Sequence, residues 1–203
     1  MKTEQEKFWK GDFGTVYIER NKGDISLASK TSLFSNVLER TGSISSALEF
    51  GCNIGLNLQA ISRLLPNAEL TGVEINSQAA ELAQSWGGAE IIEDSILDVN
   101  LEKKFDLTFT AGVLIHISPD FIENVYQKLF DYSHKFIMVA EYYNPTPVTI
   151  PYRGHAEKLY KRDFAGEMLD LYPELRLIDY RFNYHKDPIF PQDDITWFLM
   201  SKG

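Results

Sequence analysis

Short apolar runs alternate with longer amphipathic segments over the middle of the chain. The apolar runs predict strands at residues 47–50, 69–75, 89–92, 105–111 and 136–140. Apolar residues that recur every three or four positions predict helices at residues 56–65 and 77–86, and a further helix that begins at Ser118-Pro119. This alternation predicts an α/β fold, namely a Rossmann-like, doubly wound and mostly parallel sheet with helices on both faces.

The pattern changes after the fifth predicted strand. Residues 142–151 contain three prolines and show no periodicity, so they predict a loop. A helix is predicted at residues 164–172, followed by strands at residues 175–184 and 195–201. The connection between these strands, of about ten residues, is too short for a helical crossover, so they are expected to pair as a C-terminal antiparallel hairpin.

These patterns predict a single domain with four parts. The parts are an N-terminal helical cap or lid over residues 1–44, a cofactor-binding core over residues 45–141, an acceptor-side loop and helix over residues 142–174, and terminal antiparallel strands over residues 175–203. The large apolar residues of the first part are Phe8, Trp9, Phe13 and Tyr17. They predict either a lid that excludes water or a helix docked on the sheet, and the two interpretations are compatible.

The composition is that of a soluble globular protein: 203 residues, 44% hydrophobic and 24% charged, with a formal net charge of −9. This charge repels phosphate backbones, so nucleic acid is not an expected partner. The sequence shows no signal peptide and no apolar run long enough to span a membrane, and the single Cys52 has no internal disulfide partner. We expect a cytoplasmic protein with a small-molecule partner, and no metal site is predicted.

The segment Glu49-Phe50-Gly51-Cys52-Asn53-Ile54-Gly55 carries the main functional signal. It joins the first predicted strand to the first predicted helix, and its glycines let the backbone turn sharply and approach a ligand closely. Asn is the residue that tolerates left-handed backbone geometry best after glycine. Glu74, near the end of the second strand, is able to accept hydrogen bonds from a ribose diol. Because ligands of such sheets bind at the carboxyl ends of the strands, this layout predicts a nucleoside-binding crevice.

A nicotinamide dinucleotide is the first alternative ligand. Its G-x-G-x-x-G fingerprint requires glycine at positions 51, 53 and 56, where this chain has Gly51, Asn53 and Leu56. Glu49 adds a negative charge that repels a pyrophosphate but suits a cationic ligand. The residues therefore argue against a nicotinamide-dependent oxidoreductase, which stays an alternative together with a non-catalytic, cofactor-binding accessory subunit.

The turn, Glu74 and two later segments together resemble class I S-adenosylmethionine-dependent methyltransferases. The later segments are Phe105-Asp106-Leu107 and Gly112-Val113-Leu114-Ile115-His116-Ile117. The resemblance implies S-adenosylmethionine as cofactor and S-adenosylhomocysteine as product, with the methionine part at the turn, the ribose at Glu74 and the adenine near Asp94. The cofactor-binding residues that it implies are Tyr17, Glu49, Phe50, Gly51, Cys52, Asn53, Gly55, Glu74, Ile75, Asp94, Ser95, Ile96, Ala111, Gly112 and Val113.

A narrower resemblance concerns methylases associated with pseudaminic acid biosynthesis. It rests on Phe8-Trp9-Lys10-Gly11-Asp12-Phe13-Gly14 with Tyr17, Arg20 and Asn21, on Glu141-Tyr142-Tyr143-Asn144-Pro145, and on Tyr152-Arg153-Gly154-His155. It implies an acceptor from surface-carbohydrate assembly, such as an anionic sugar or a nucleotide-sugar.

Two histidines are candidate bases for a hydroxyl acceptor. His116 follows the fourth strand, and His155 lies in a segment expected to face the site. The alternative for His116 is a histidine that caps or packs between the loop after the fourth strand and the helix that begins at Ser118. The predicted acceptor-binding residues are Tyr142, Tyr143, Tyr152, Arg153, Lys158, Lys161 and Arg162. The basic ones suit an anionic acceptor, with a solvated surface as the alternative, and the tyrosines suit stacking on a ring or simple packing.

Overall fold

The computed structural model describes residues 3–18, 24–152 and 155–203. A seven-stranded sheet forms its centre, with the strand order β3-β2-β1-β4-β5-β9-β8. These strands are β1 (Ser46–Phe50), β2 (Glu69–Glu74), β3 (Glu90–Glu93), β4 (Phe105–Ala111), β5 (Ser133–Glu141), β8 (Leu175–Phe182) and β9 (Thr196–Lys202). Two further strands, β6 (Val148–Tyr152) and β7 (His155–Lys161), form a separate antiparallel hairpin.

Helices cover both faces of the sheet. They are α1 (Glu4–Lys10), α2 (Asp12–Ile18), α3 (Asp24–Thr41), α4 (Leu56–Leu64), α5 (Ser77–Ser85), α6 (Ile122–Tyr132) and α7 (Phe164–Leu171). Side chains cap two of them: Asn76 accepts from Ala79 N at 3.1 Å at the start of α5, and Asp163 accepts from Gly166 N at 2.8 Å at the start of α7. Ser118 makes no side-chain cap, and a 3-10 turn at Pro119–Phe121 precedes α6.

The predicted topology is confirmed. Strands β1 to β5 pair in parallel, whereas β9 runs antiparallel to both β5 and β8. The chain therefore changes direction across the sheet between β1 and β4, which are neighbours in space. At such a reversal the loops after adjacent strands diverge and leave a crevice at the carboxyl ends, so this edge of the sheet is the expected binding site.

Two apolar layers hold the sheet between its helices. On one face, Phe105 of β4 is buried in the same apolar cluster as Val125 of α6 and Met168 of α7. On the other face, Trp197 of β9 is buried in a second cluster with Phe34 of α3. Burial of such side chains stabilises the fold by about 1.5–3 kcal/mol each. Among the described residues, no helix is both long and apolar enough to cross a membrane.

The loop predicted at residues 142–151 is wrong in its second half, because residues from Val148 onward form strand β6. Val148 pairs with Lys161, and Ile150 pairs with Leu159. The β-branched side chains of this segment favour an extended backbone, but its few residues, flanked by prolines, show no readable alternation. Leu159 is buried in the same apolar layer as Leu114, so the hairpin packs beside the turn that follows β4.

Asp106 at the start of β4 ties three segments together at the opposite edge of the sheet. Its Oδ2 accepts from both the amide and the hydroxyl of Ser45 at 2.6 Å, and its Oδ1 lies 2.9 Å from His134 Nε2 and 2.8 Å from Lys135 Nζ. Burial raises the pKa of Asp106, but the hydrogen bonds from Lys135, Ser45 and His134 outweigh it and hold the pKa well below its usual range.

The Asp106→Asn variant is expected to be less stable than the wild type by about 1–3 kcal/mol at pH 7, since it weakens a buried, charge-assisted acceptor. A carboxyl group with a lowered folded-state pKa stabilises the fold above its unfolded value of about 3.9, and this stabilisation is lost as the pH falls below that value. Urea unfolding between pH 7 and pH 3 should therefore show that the free energy of unfolding falls less steeply with decreasing pH in the variant than in the wild type. Asp120→Asn, on an exposed turn, serves as control, and equal acid slopes in wild type and Asp106→Asn would contradict the assignment.

Candidate active site

The turn between β1 and α4 has three residues in the left-handed backbone region: Gly51 (φ +72°), Asn53 (φ +49°) and Gly55 (φ +79°). The expectation that Asn53 takes a conformation usually reserved for glycine is therefore confirmed. The amides of Gly51 and Cys52 both donate to Val73 O, at 2.8 and 3.1 Å, which fixes the turn to the end of β2.

Glu74 at the end of β2 organises this turn. Its Oε2 accepts from Asn53 N and its Oε1 accepts from Asn76 N, both at 2.8 Å. The residue is 8% exposed, and burial raises its pKa against the opposing effect of these hydrogen bonds. A carboxylate has about four acceptor positions, so Glu74 retains capacity for further donors from a ligand.

Glu49 at the end of β1 is buried at 1% exposure and is only partly satisfied. Its Oε1 accepts from Asn57 Nδ2 at 2.5 Å, whereas its Oε2 has no hydrogen-bond partner in the described structure. Burial raises the pKa of Glu49 to about 8, and the opposite charge of Lys30 on α3 counteracts this rise. An unpaired buried carboxyl oxygen costs free energy, which a cationic ligand group would offset.

These residues lie around a cavity of about 1150 Å³, including the space at its open mouth. The predicted site residues that line it are Tyr17, Glu49, Gly51, Cys52, Asn53, Glu74, Ile75, Ser95, Ile96, Ala111, Gly112, Val113 and His116. The cavity thus lies at the carboxyl ends of β1, β2, β3 and β4, where the topology places the crevice. Burial raises the pKa of the Cys52 thiol well above its ordinary value, so Cys52 contributes an uncharged wall.

Three predicted cofactor residues lie outside the cavity lining. Phe50 is fully buried in the core, because successive strand side chains point to opposite faces and Glu49 takes the cavity side. Gly55 begins α4 with its left-handed backbone. The carboxylate of Asp94 accepts from Ser95 N at 2.7 Å, which closes the turn after β3.

The N-terminal helices form one wall of the cavity, to which they contribute Glu6, Trp9 and Tyr17. Asn76 Nδ2 donates to Trp9 O at 3.2 Å, and the hydroxyl of Ser95 donates to the Glu6 carboxylate. The Trp9 ring packs against Tyr17 with 5.3 Å between ring centroids. Helix α1 is thus joined by polar contacts to the loops that follow β2 and β3, and α2 packs against α1 through Tyr17.

His116 is 6% exposed and lines the cavity from the 3-10 turn Leu114–His116 that follows β4. Its ring lies 4.6 Å from that of Trp9, tilted by 54°. The turn itself is held by Glu141 at the end of β5, whose Oε1 accepts from Val113 N and Leu114 N at 3.0 Å. Burial raises the pKa of Glu141 to about 7.

The predicted acceptor-binding residues are not brought to this cavity in the described structure. Arg162 pairs with Glu167 one turn along α7, with 2.6 Å between Nε and Oε1, which explains a cation near the start of a helix. Lys161 Nζ lies 4.8 Å from the ring centre of Tyr142, and Tyr143 packs against Phe198. Arg153 and the side chains of Tyr152, His155 and Lys158 lie outside the described residues.

The structure adds cavity residues that the sequence analysis did not single out for this role. Those that bear on function are Glu6, Lys30, Asn57, Asn76, Ile117 and Phe121. Most of them lie in helices or at helix starts. In the sequence, such a residue cannot be told apart from the other residues of an ordinary amphipathic helix. Within the described ranges, no group of three or more His, Cys, Asp or Glu side chains is placed to hold a metal ion.

Comparison with known proteins agrees with this geometry. Residues 47–135 match the profile of the methyltransferase domain family. No curated protein matches the sequence of the chain.

Solved structures with a similar fold include several methyltransferases of low sequence identity. Plantazolicin methyltransferase BpumL, in complex with S-adenosylhomocysteine, superposes with a TM-score of 0.70 at 14% identity, covering 98% of this chain and 94% of that chain. The 1,6-didemethyltoxoflavin-N1-methyltransferase of Burkholderia thailandensis gives 0.73 at 15% identity, with 98% and 89% covered. Magnesium protoporphyrin IX methyltransferase from Synechocystis PCC 6803, with bound S-adenosylmethionine, gives 0.70 at 8% identity, with 99% and 98% covered. Residues 47–135 of the chain therefore match a methyltransferase domain, and the chain as a whole has the fold of class I methyltransferases.

Proposed function

We propose that this chain methylates a small-molecule acceptor that binds between Trp9, His116 and Phe121. The observation that carries the proposal is the position of His116, buried in the cavity wall shortly after Gly112 and Val113 and packed against the Trp9 ring. The neighbouring lining residues Ile117 and Phe121 are apolar. Such a wall suits a ring-bearing acceptor with one hydroxyl or amine directed at the imidazole.

Two features of the cavity fit the cofactor. The unpaired Oε2 of Glu49 is a buried acceptor that suits the ammonium group of the methionine part. At Gly51 a side chain would fill the space against Val113, so the backbone itself forms the wall there. Glu74 is assigned to the ribose, and Ile75 and Ile96 to the flanks of the adenine. When bound, S-adenosylmethionine supplies an electrophilic methyl group on a positively charged sulfur.

We assign to His116 the removal of a proton from the acceptor. A neutral imidazole accepts a proton from a hydroxyl as that oxygen becomes the nucleophile, which contributes about 10²–10⁴-fold to the rate. The Trp9 ring restricts the imidazole, and the docked N-terminal helices limit the access of water. An amine acceptor needs less assistance from a base than a hydroxyl acceptor does. The size of the fall in kcat when His116 is replaced therefore indicates which of the two classes the acceptor belongs to.

His116→Asn is expected to lower kcat by about 100-fold for a hydroxyl acceptor, with the Kd for S-adenosylhomocysteine changed by no more than about threefold. The measurement is transfer of a labelled methyl group into pools of small acceptors, combined with calorimetric titration of the cofactor. His134→Asn, at the opposite edge of the sheet beside Asp106, is the control. Cofactor binding without transfer to any pool would favour an accessory subunit, and preferential binding of a nicotinamide dinucleotide would favour an oxidoreductase.

An anionic sugar or nucleotide-sugar, as in the carbohydrate-assembly methylases that the sequence resembles, is the second candidate acceptor. The observation that favours it is the hairpin β6–β7, whose basic sequence packs beside the Leu114–His116 turn through Leu159. Phosphorylated or carboxylated sugars should then be methylated in preference to their neutral counterparts. Equal turnover of charged and neutral sugars would contradict the assignment of an anionic acceptor.

A further inference from the structure

Glu141 is a buried acid at the end of β5 to which neither the proposed cofactor contacts nor the proposed base assigns a part in the reaction. It is 3% exposed, and it is not among the described residues that line the cavity. Its two carboxylate oxygens point instead to the residues that follow β4. An effect of Glu141 on methyl transfer must therefore pass through the segment of chain that it holds.

The carboxylate of Glu141 accepts hydrogen bonds from three consecutive amides. Its Oε1 accepts from Val113 N and Leu114 N, both at 3.0 Å. The same oxygen accepts from the Thr110 hydroxyl, and Oε2 accepts from Ile115 N, each at 3.4 Å. Successive amides of a turn form a concave site that suits an anionic group. Here a side chain of the neighbouring strand fills that site, so the turn after β4 is tied to the end of β5.

The segment that Glu141 holds is a single short turn that ends in His116. This 3-10 turn, Leu114–His116, has three residues, and Val113 before it provides no side-chain cap. Short 3-10 turns have poorer hydrogen-bond geometry than an α-helix, and the amides at their start need an acceptor from elsewhere. Glu141 supplies a charge-assisted acceptor, which is about twice as strong as a neutral one. Without that charge the imidazole is free to leave its alignment, and a displacement of about 1 Å costs roughly 10²-fold in rate.

We propose that Glu141 is a positioning residue for methyl transfer, its carboxylate holding the turn so that the His116 imidazole meets the proton of the acceptor. The inference rests on the proposed function, which assigns the role of base to His116. It goes further because it gives a part in the reaction to a residue outside the cavity. It also requires that the effect of Glu141 on the rate passes through the imidazole.

The first test is a double-mutant cycle on the full chain, with methyl transfer to a hydroxyl acceptor as the measurement. Glu141→Gln removes the charge and keeps the size of the side chain. It should lower kcat about tenfold or more, but by no more than His116→Asn does, with the KM for S-adenosylmethionine kept within about threefold. The double variant should match His116→Asn within about twofold, because the imidazole through which Glu141 acts is already absent. Asp106→Asn removes a buried carboxylate at the opposite edge of the sheet, and this control should retain its kcat.

The second test needs no acceptor. The imidazole signals of His116 are identified in the NMR spectrum by their loss in His116→Asn. Glu141→Gln should shift or broaden these signals. Asp106→Asn should leave them unchanged and shift those of His134, whose Nε2 lies 2.9 Å from Asp106 Oδ1.

Three results would overturn the proposal: an unchanged kcat in Glu141→Gln, losses that multiply in the double variant, or His116 ring signals that Glu141→Gln leaves unchanged. An unchanged kcat in His116→Asn would instead contradict the base assigned under the proposed function, and the ring signals then decide on Glu141 by themselves. If Glu141→Gln is unfolded at the assay temperature, Glu141→Asp takes its place in both tests, because it keeps the charge but withdraws it from the amides.

Discussion

Gly51→Ala should lose about 100-fold in affinity for S-adenosylhomocysteine and about 2–4 kcal/mol in stability. The left-handed backbone at φ +72° is unfavourable for alanine by about 1–2 kcal/mol. In addition, a Cβ at this position would lie 2.6 Å from Cγ2 of Val113, a distance that real side chains do not tolerate. Either the turn or Val113 must move, and both line the cavity.

Gly42→Ala separates these two contributions. Gly42 has φ +66°, but a Cβ there would meet nothing within 4 Å. This control should therefore show the backbone cost alone, with unchanged cofactor affinity. The double variant Gly51→Ala with Val113→Ala should recover part of the lost affinity, because the smaller side chain removes the clash. The measurements are thermal unfolding and calorimetric titration, and equal behaviour of Gly51→Ala and Gly42→Ala would contradict the steric argument.

Three acidic residues, Glu49, Glu74 and Glu141, lie at the carboxyl ends of the parallel strands β1, β2 and β5, and burial raises the pKa of each of them. Two of them hold loops: Glu74 accepts from the amides of Asn53 and Asn76, and Glu141 accepts from the amides that follow Gly112. Glu49 differs, since one of its oxygens has no partner in the described structure. Strand-end acids thus build the rim of the cavity and leave one acceptor free for a ligand.

The parts of the fold that the sequence predicted are those governed by local chemistry. The periodicity of strands and helices and the left-handed backbone at Asn53 each depend on a few adjacent residues. The parallel order of the sheet follows from alternation of strands and helices. Glu49 and Glu74 follow different strands in the sequence and line one cavity in the structure, because the carboxyl ends of parallel strands meet at one edge of the sheet.

The parts that the sequence did not predict depend on partners that meet only in the folded chain. Arg162 looked available for an anion because its partner, Glu167, becomes visible only when α7 forms beside it. Lys30 reaches the cavity because α3 packs on α4, and no local pattern specifies that packing. The hairpin β6–β7 gains its apolar contact through Leu159 with the turn after β4, far away in sequence.

Glu74→Ala should weaken the binding of S-adenosylhomocysteine by about 3–5 kcal/mol, or roughly 200- to 5000-fold, since it removes hydrogen bonds to a charged acceptor from two amides and from the ribose. Glu74→Gln keeps one acceptor oxygen, so a smaller loss of about 10- to 50-fold is expected. The ribose contact itself is read from the preference for adenosine over 2′-deoxyadenosine, which wild type should show and Glu74→Gln should lack. Glu141→Gln is the matched control, a buried strand-end acid that holds the other loop: it should lower the unfolding temperature and retain the ribose preference. If Glu74→Gln keeps that preference while losing stability, Glu74 acts only by holding Asn53 and Asn76 in place.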